Sequence, residues 1–204
     1  MIPPWVSCRV LSRLVVPAIC AVILSTMSCS KLVYQPAAVV PTKSPLPYSA
    51  KIKLTQVEAY LVEPGSTMIA DPNIDNHVTR ITDTVAPGQK DWEKSVSDYL
   101  AARQTFSYLS LDSQTDLDLV MRLNIYIDPG LSFQFNHVYL ARVETALVSP
   151  QTGQPLTYLG LGKSSGDVSR GGKSDDREPI NHAVQSALND LFGKLERDPR
   201  LRLY

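Results

Sequence analysis

"DLDLVMRLNIYIDPG", residues 116–130, decides the fold. Leu117, Leu119, Met121, Leu123, Ile125 and Ile127 alternate with Asp118, Val120, Arg122, Asn124, Tyr126 and Asp128. A period of two puts the first set on one face of a β-strand, and that face is apolar throughout. Asp128-Pro129-Gly130 then turns the chain. A strand half-buried in this way needs neighbours and a covering layer, and the flanking sequence supplies both.

Downstream, "HVYLARVETALVS" alternates again. Tyr139, Ala141, Val143, Thr145 and Leu147 share one face, while Arg142 and Glu144 point the other way. "PQTGQP" turns the chain and "LTYLGLG" forms a third strand, so these three read as an antiparallel meander. Ile180, Ala183, Val184, Ala187, Leu188, Leu191 and Leu195 recur at three- and four-residue spacing, the stripe of a helix lying across a sheet. Pro179 suits its first turn and Asp198-Pro199 stops it. Upstream, "KIKLTQVEAYLVEPG" is a first strand, with Ile52, Leu54, Tyr60 and Val62 on one face and Val57, Ala59 and Leu61 on the other. Apolar residues on both faces predict a central strand. A short strand is expected around 78–85. Trp92, Val96, Tyr99, Leu100 and Phe106 mark a helix that starts at or just before Asp91, whose carboxylate is suited to capping it. The expected fold class is α+β: a mostly antiparallel sheet of about four strands with two helices packed on one face.

The amino terminus reads differently. Arg9 and Arg13 precede an uncharged apolar stretch, Leu14 to Leu24, too short for the ~20 residues of a spanning helix. Small residues then lead to Cys29. Residues 1–28 resemble a bacterial lipoprotein signal peptide, with Ser28 before the lipidated cysteine, although Thr26 stands where that family has leucine. The resemblance implies lipidation of Cys29, and Ser30 after it implies the outer membrane, periplasmic face. An ordinary cleavable signal, or an uncleaved anchor, is the alternative. The chain has three cysteines, Cys8, Cys20 and Cys29, so cleavage at residue 29 leaves one thiol and no intrachain disulfide. Acylating that thiol gives a membrane anchor at ~0.8 kcal/mol per buried methylene.

Residues 29–50 are read as the lipidated cysteine and a proline-rich tether, with Pro36, Pro41, Pro45 and Pro47. At ~3.1 Å per residue such a stretch reaches roughly 60 Å; a leader wrapped around the domain is the alternative. Residues 51–204 then form a single globular domain. Removing Arg9 and Arg13 from the 20 basic side chains leaves the mature chain two charges short of its 20 acidic ones. That balance argues against nucleic acid as a partner.

Chemistry is hard to find. "LGLGKSSG" lacks the first glycine of a phosphate loop, where Thr157 stands, and no helix follows Lys163-Ser164 at once. Residues 162–178 read as a glycine-rich, mixed-charge solvated connection, with a mobile partner-binding loop as the alternative. His77, His137 and His182 have no short ligand spacing, and Asp175-Asp176 is read as a solvated pair. Phe133, Phe135 and Tyr139 are read as core filling, with an interface anchor as the alternative. No catalytic, cofactor-binding or metal-ligating residue is assigned, and no cofactor is expected.

A helix ending in a phenylalanine and short strand, then "DLDLVMRLNI", then a strand leading to "SPQTGQPL", a glycine-containing strand and a closing amphipathic helix form a layout. Over residues 52–197 it resembles envelope lipoproteins of the group that includes the curli-secretion channel lipoprotein, the lipoprotein activators of peptidoglycan synthases and the TolB amino-terminal domain. The resemblance implies a membrane-anchored, non-catalytic accessory that binds another envelope component in secretion, transport or cell-wall machinery. The alternatives are an envelope hydrolase and a lipid or glycan carrier. An adaptor calls for an exposed face, a hydrolase for a deep cleft of titratable groups, a carrier for a cavity between sheet and helices. The oligomeric state is left open.

Overall fold

In a computed structural model of the chain, the described residues are 34–63, 78–81, 88–110, 114–129, 136–148, 154–167 and 177–202. Strands β1 (Leu46–Val62), β2 (Val78–Ile81), β3 (Phe106–Ser110), β4 (Leu117–Asp128), β5 (Asn136–Val148) and β6 (Pro155–Asp167) join helices α1 (Gln89–Arg103) and α2 (Arg177–Arg197). A short 3-10 turn, Pro199–Arg202, follows α2.

The sheet has six strands in the order β2-β1-β4-β5-β6, with β3 also paired to β1. The expected meander is present: β4 with β5 and β5 with β6 are antiparallel along their lengths. The expectation of about four mostly antiparallel strands is corrected, because β1 runs parallel to both β3 and β4. A parallel pair needs a crossover rather than a hairpin. The stretch containing α1 supplies it between β1 and β4.

Period two holds on β4 and β5. All six odd-numbered apolar residues of β4 are buried, as are Tyr139, Ala141, Val143, Thr145 and Leu147 of β5. On β1 it breaks. Leu54 pairs with Met121 and Gln56 with Arg122, so Thr55 is an extra residue, and its hydroxyl donates to the Met121 carbonyl at 2.9 Å. A bulge of one residue reverses which side chains face which side. Ile52 and Leu54 therefore share the core face with Val57 and Ala59, whereas Tyr60 and Val62 join Tyr126 on the other face. The face assignment expected for β1 is corrected accordingly.

Both helices cover the core face. Trp92, Val96, Tyr99 and Leu100 of α1 and the whole expected stripe of α2, together with Phe192, merge with the sheet in one hydrophobic core. Helix α1 starts after Gly88 with no side-chain cap, so the capping role expected for Asp91 is not realised; Asp91 lies in the first turn. There it still complements the helix dipole.

Helix α2 lies unusually close to β6. A Cβ placed on Gly162 would sit 2.0 Å from the Ala183 carbonyl oxygen, and one on Gly160 would sit 2.2 Å from that of Ala187. The two glycines thus give the backbone contact that no other residue permits. β6 continues to Asp167, so Lys163, Ser164 and Ser165 are strand residues paired with β5, not the start of a loop.

The described part of the expected tether, residues 34–50, belongs to the folded body. Tyr34 is fully buried and stacks on Trp92 with ring centroids 6.1 Å apart. Its hydroxyl donates to Gln185 Oε1 at 3.2 Å, which also accepts the Ala37 amide at 2.8 Å. The Gln35 amide donates to Asn181 Oδ1 at 3.2 Å, and the Thr42 amide to the Arg103 carbonyl at 2.7 Å. Residues 34–45 are thus a strap along both helices, from Trp92 and Asn181 towards Arg103, and residues 46–50 open β1. The prolines fit because a strap resting on helices needs few backbone donors.

Candidate functional site

With both helices on one side, the other side of the sheet is the candidate surface. Its residues follow from register. Val120, Ala146 and Thr157 form one row across β4, β5 and β6. Arg122, Glu144 and Leu159 form the next, then Asn124, Arg142 and Leu161, then Tyr126, Leu140 and Lys163. β1 extends three of these rows with Gln56, Glu58 and Tyr60.

The middle rows form a polar belt. Arg142 Nη2 lies 2.6 Å from Glu144 Oε1. Arg80 pairs with Glu58, whose carboxylate also accepts from the Tyr60 hydroxyl and the Gln56 amide. The Tyr60 hydrogen bond is the main influence holding the Glu58 carboxyl below its ordinary range; partial burial opposes it, and Gln56 and Arg80 assist. Burial, then the bond to Glu58, pushes the Tyr60 phenol up to about 12. Tyr60 stacks on Tyr126 at 5.3 Å, closing one end of the belt.

Two polar atoms of the belt find no hydrogen-bond partner among the described residues: Asn124 Oδ1 and Arg142 Nε, both buried. They lie on directly opposed residues of β4 and β5. A buried unpaired polar atom costs about 1–3 kcal/mol, and a ligand or water that reaches it recovers that loss. Arg142, though not Asn124, also lines a depression of about 440 Å³ together with Val120, Arg122, Glu144, Ala146 and Leu159, among others. Leu159 and Leu161 are 39% and 47% exposed, large for leucines, and form an apolar margin on the edge strand.

That edge is guarded. β6 ends the sheet, and the backbone groups of Leu159 and Leu161 face outwards. Asp190 Oδ2 accepts the Leu161 amide at 3.0 Å, and Lys194 Nζ donates to the Leu159 carbonyl at 2.9 Å. The two side chains also bond each other at 2.7 Å. The close seat of α2 on Gly160 and Gly162 places them there.

A second polar cluster lies on the helix side. Arg103 donates to both oxygens of Glu196, at 2.8 and 2.9 Å, and the Thr105 hydroxyl donates to Glu196 at 2.8 Å. Tyr99 donates to Asn189 at 2.8 Å. The cluster ties the carboxyl-terminal halves of the helices together beneath the strap, and every charge in it is matched.

Of the sequence-selected residues, Arg142 and Glu144 fall on the open face. Tyr139 fills the core, as expected. His182 is exposed on α2, 3.8 Å from Glu178, and His137 lies in β5 beside Tyr139. Cys29, His77, Phe133, Phe135, the Thr152-Gly153 turn and Asp175-Asp176 lie outside the described residues. Sequence reasoning missed Asn124 and the Leu159–Leu161 margin. A polar residue between leucine and isoleucine in the best strand was the available signal for Asn124. Among the described residues no group of three or more His, Cys, Asp or Glu is placed to hold a metal ion, and no helix is long and apolar enough to cross a membrane.

No family model and no curated protein matches the chain. Among solved structures it is similar to protein XCC0632 of Xanthomonas campestris, described under the family model DUF330. That likeness has 14% identity and a TM-score of 0.47, over 80% of this chain and 92% of that one. It is similar to CT253 of Chlamydia trachomatis, a hypothetical protein, at 9% identity and TM-score 0.40, over 74% and 96%. A structure described as a neuraminyllactose-binding hemagglutinin homolog from Helicobacter pylori has 12% identity and TM-score 0.36, over 82% and 90%. All three are bacterial proteins.

Proposed function

We propose that the chain is a lipid-anchored bacterial envelope lipoprotein, held through Cys29 on the periplasmic face of the outer membrane. Its domain is a non-catalytic accessory, and the open sheet face binds another envelope component. Kinship with the curli-secretion, synthase-activator and TolB-like group is part of this reading and rests on the layout of elements. The observation that carries the binding role is the open depression lined by Arg142, whose buried Nε lacks a hydrogen bond as does Asn124 Oδ1 on the opposed residue, with an exposed leucine margin. A partner that supplies an acceptor to the first and a donor to the second gains the energy that the free domain forgoes. A lipid carrier calls for a cavity between sheet and helices; among the described residues, Trp92, Tyr99, Phe192 and their neighbours pack there.

A photo-crosslinking side chain placed at Arg122 or Leu159 in cells tests the binding face. The expected result is a discrete crosslinked product from both positions and none from Lys94 on the exposed side of α1. No product from the sheet face, or hydrolysis of envelope polymers by the purified protein, would overturn it.

A further inference from the structure

The strap changes what an anchor at Cys29 would do. Tyr34 is locked by Trp92 on one helix and Gln185 on the other, with Gln35 held by Asn181 one helical turn earlier. Only residues 30–33 separate Cys29 from this lock. Five peptide steps span at most roughly 18 Å, whatever their conformation. A free tether over the whole proline-rich stretch would reach about three times as far.

The lock also has a direction. The strap enters at the amino-terminal halves of the helices, near Trp92 and Asn181, and runs towards Arg103 and Thr105, where Thr42 and Leu46 bond. Its mouth is on the helix side of the sheet. A helix with its side chains has a radius of about 5–6 Å, and with about 10 Å between packed layers and the side chains of the open face, the path from the outer helix surface round an edge to the open face exceeds roughly 20 Å. A leash of at most 18 Å that starts on the helix side cannot be drawn round to the open face and also leave the domain free to turn over.

We propose that the domain is held flush against the lipid surface, with the mouth of the strap, between the amino-terminal halves of α1 and α2, facing the bilayer and the open sheet face turned away from it. The partner on the helix side is the lipid surface itself; the sheet face is left free for the periplasmic component. The inference rests on anchoring at Cys29, the reading given above.

The full lipidated protein in vesicles of phosphatidylethanolamine and phosphatidylglycerol provides the test. With Cys29 acylated and Cys8 and Cys20 in the cleaved segment, a new cysteine can be labelled alone. His182→Cys sits on exposed helix surface beside Asn181, near the mouth of the strap. Lys163→Cys lies on β6, whose contact with α2 through Gly162 and Gly166 places it towards the same end of the molecule, but on the opposite face. Fluorophores at the two sites are read for quenching by headgroup spin-labelled lipid. The expected result is at least three-fold stronger quenching at residue 182 than at 163, abolished by a twenty-residue glycine-serine insertion between Ser30 and Lys31.

Equal quenching at the two sites in protein that floats with the vesicles would overturn the orientation and leave the anchor standing. A contrast that survives the insertion would show that the leash does not set it, and would overturn the inference as well. Protein that fails to float would remove the anchor and the orientation together.

Discussion

Tyr34 lies over Trp92 at an interplanar angle of 19°, joining a residue ahead of the first strand to the first turn of a helix that follows it by more than fifty positions. The ring is fully buried, and burial raises its phenol well above the ordinary tyrosine range. Removing the ring leaves a cavity between the two helices. Tyr34→Ala is expected to cost about 3–5 kcal/mol, the usual loss for a buried aromatic. Tyr34→Phe keeps the ring and loses one hydrogen bond, about 1 kcal/mol. Urea unfolding of the soluble domain distinguishes a strap that is part of the fold from one resting on it, which would show no loss in either variant.

Gly162 and Gly193 should respond oppositely to alanine. At Gly162 the new methyl meets the Ala183 carbonyl at 2.0 Å, and backbone cannot give way cheaply. A loss of about 1–3 kcal/mol or more is expected. At Gly193, inside α2, the nearest atom is Arg197 Nη2 at 3.7 Å, so alanine gains helix propensity, up to about 1 kcal/mol. Denaturant midpoints of the two variants check the pair.

The Arg103–Glu196 pair is bidentate, with side chains only 14% and 7% exposed. Glu196→Ala strands a guanidinium in the interior and is expected to cost about 3–5 kcal/mol. Arg103→Met combined with Glu196→Leu should recover most of that loss, because the isolated charge and not the missing bond is the main penalty. A double variant as unstable as Glu196→Ala would contradict this.

Asp190 and Lys194 satisfy two outward backbone groups of β6, the Leu161 amide and the Leu159 carbonyl. Replacing both with alanine exposes an unpaired edge beside two exposed leucines, the condition that favours strand addition from a second copy. Concentration-dependent self-association is expected in sedimentation for the double variant, at concentrations where the parent shows none. Unchanged sedimentation would assign the two residues to helix packing alone.

Acid should weaken the domain through carboxylates that the fold holds ionised, Glu58 of the open face among them, and most strongly through Asp198. Arg200 bonds both oxygens of Asp198 and is the main cause holding that carboxyl well below the usual range; Tyr158 adds to it. A folded pKa below the unfolded value, ~3.9, means the contribution is complete above that pH. It is lost as pH falls from there towards the folded value. Melting temperature should therefore drop below about pH 4, and Asp198→Asn should flatten that drop.

The parts of the fold legible in the sequence were those with an uninterrupted period. β4, β5 and the stripe of α2 were read residue by residue, because nothing breaks their alternation. β1 was misread where Thr55 adds a residue, since one bulge exchanges the faces and leaves no trace in composition. Parallel pairing of β1 with β4 depends on where the chain returns after α1, which no local pattern encodes. The strap was hidden by its prolines, which read as a linker; buried Tyr34, with an aromatic partner at Trp92, was the contrary signal. For the candidate face, Arg142 and Glu144 were legible as outward residues. That Asn124 Oδ1 and Arg142 Nε are left without a hydrogen bond depends on how adjacent strands meet and was not.

The anchor at Cys29 is tested most directly by the intact mass of the mature protein extracted from membranes of its own host. Lipidation predicts a chain that begins at residue 29 and carries the added mass of a diacylglyceryl group on sulfur, absent from the Cys29→Ala protein. A mature chain that begins elsewhere, or an unmodified Cys29, would contradict it.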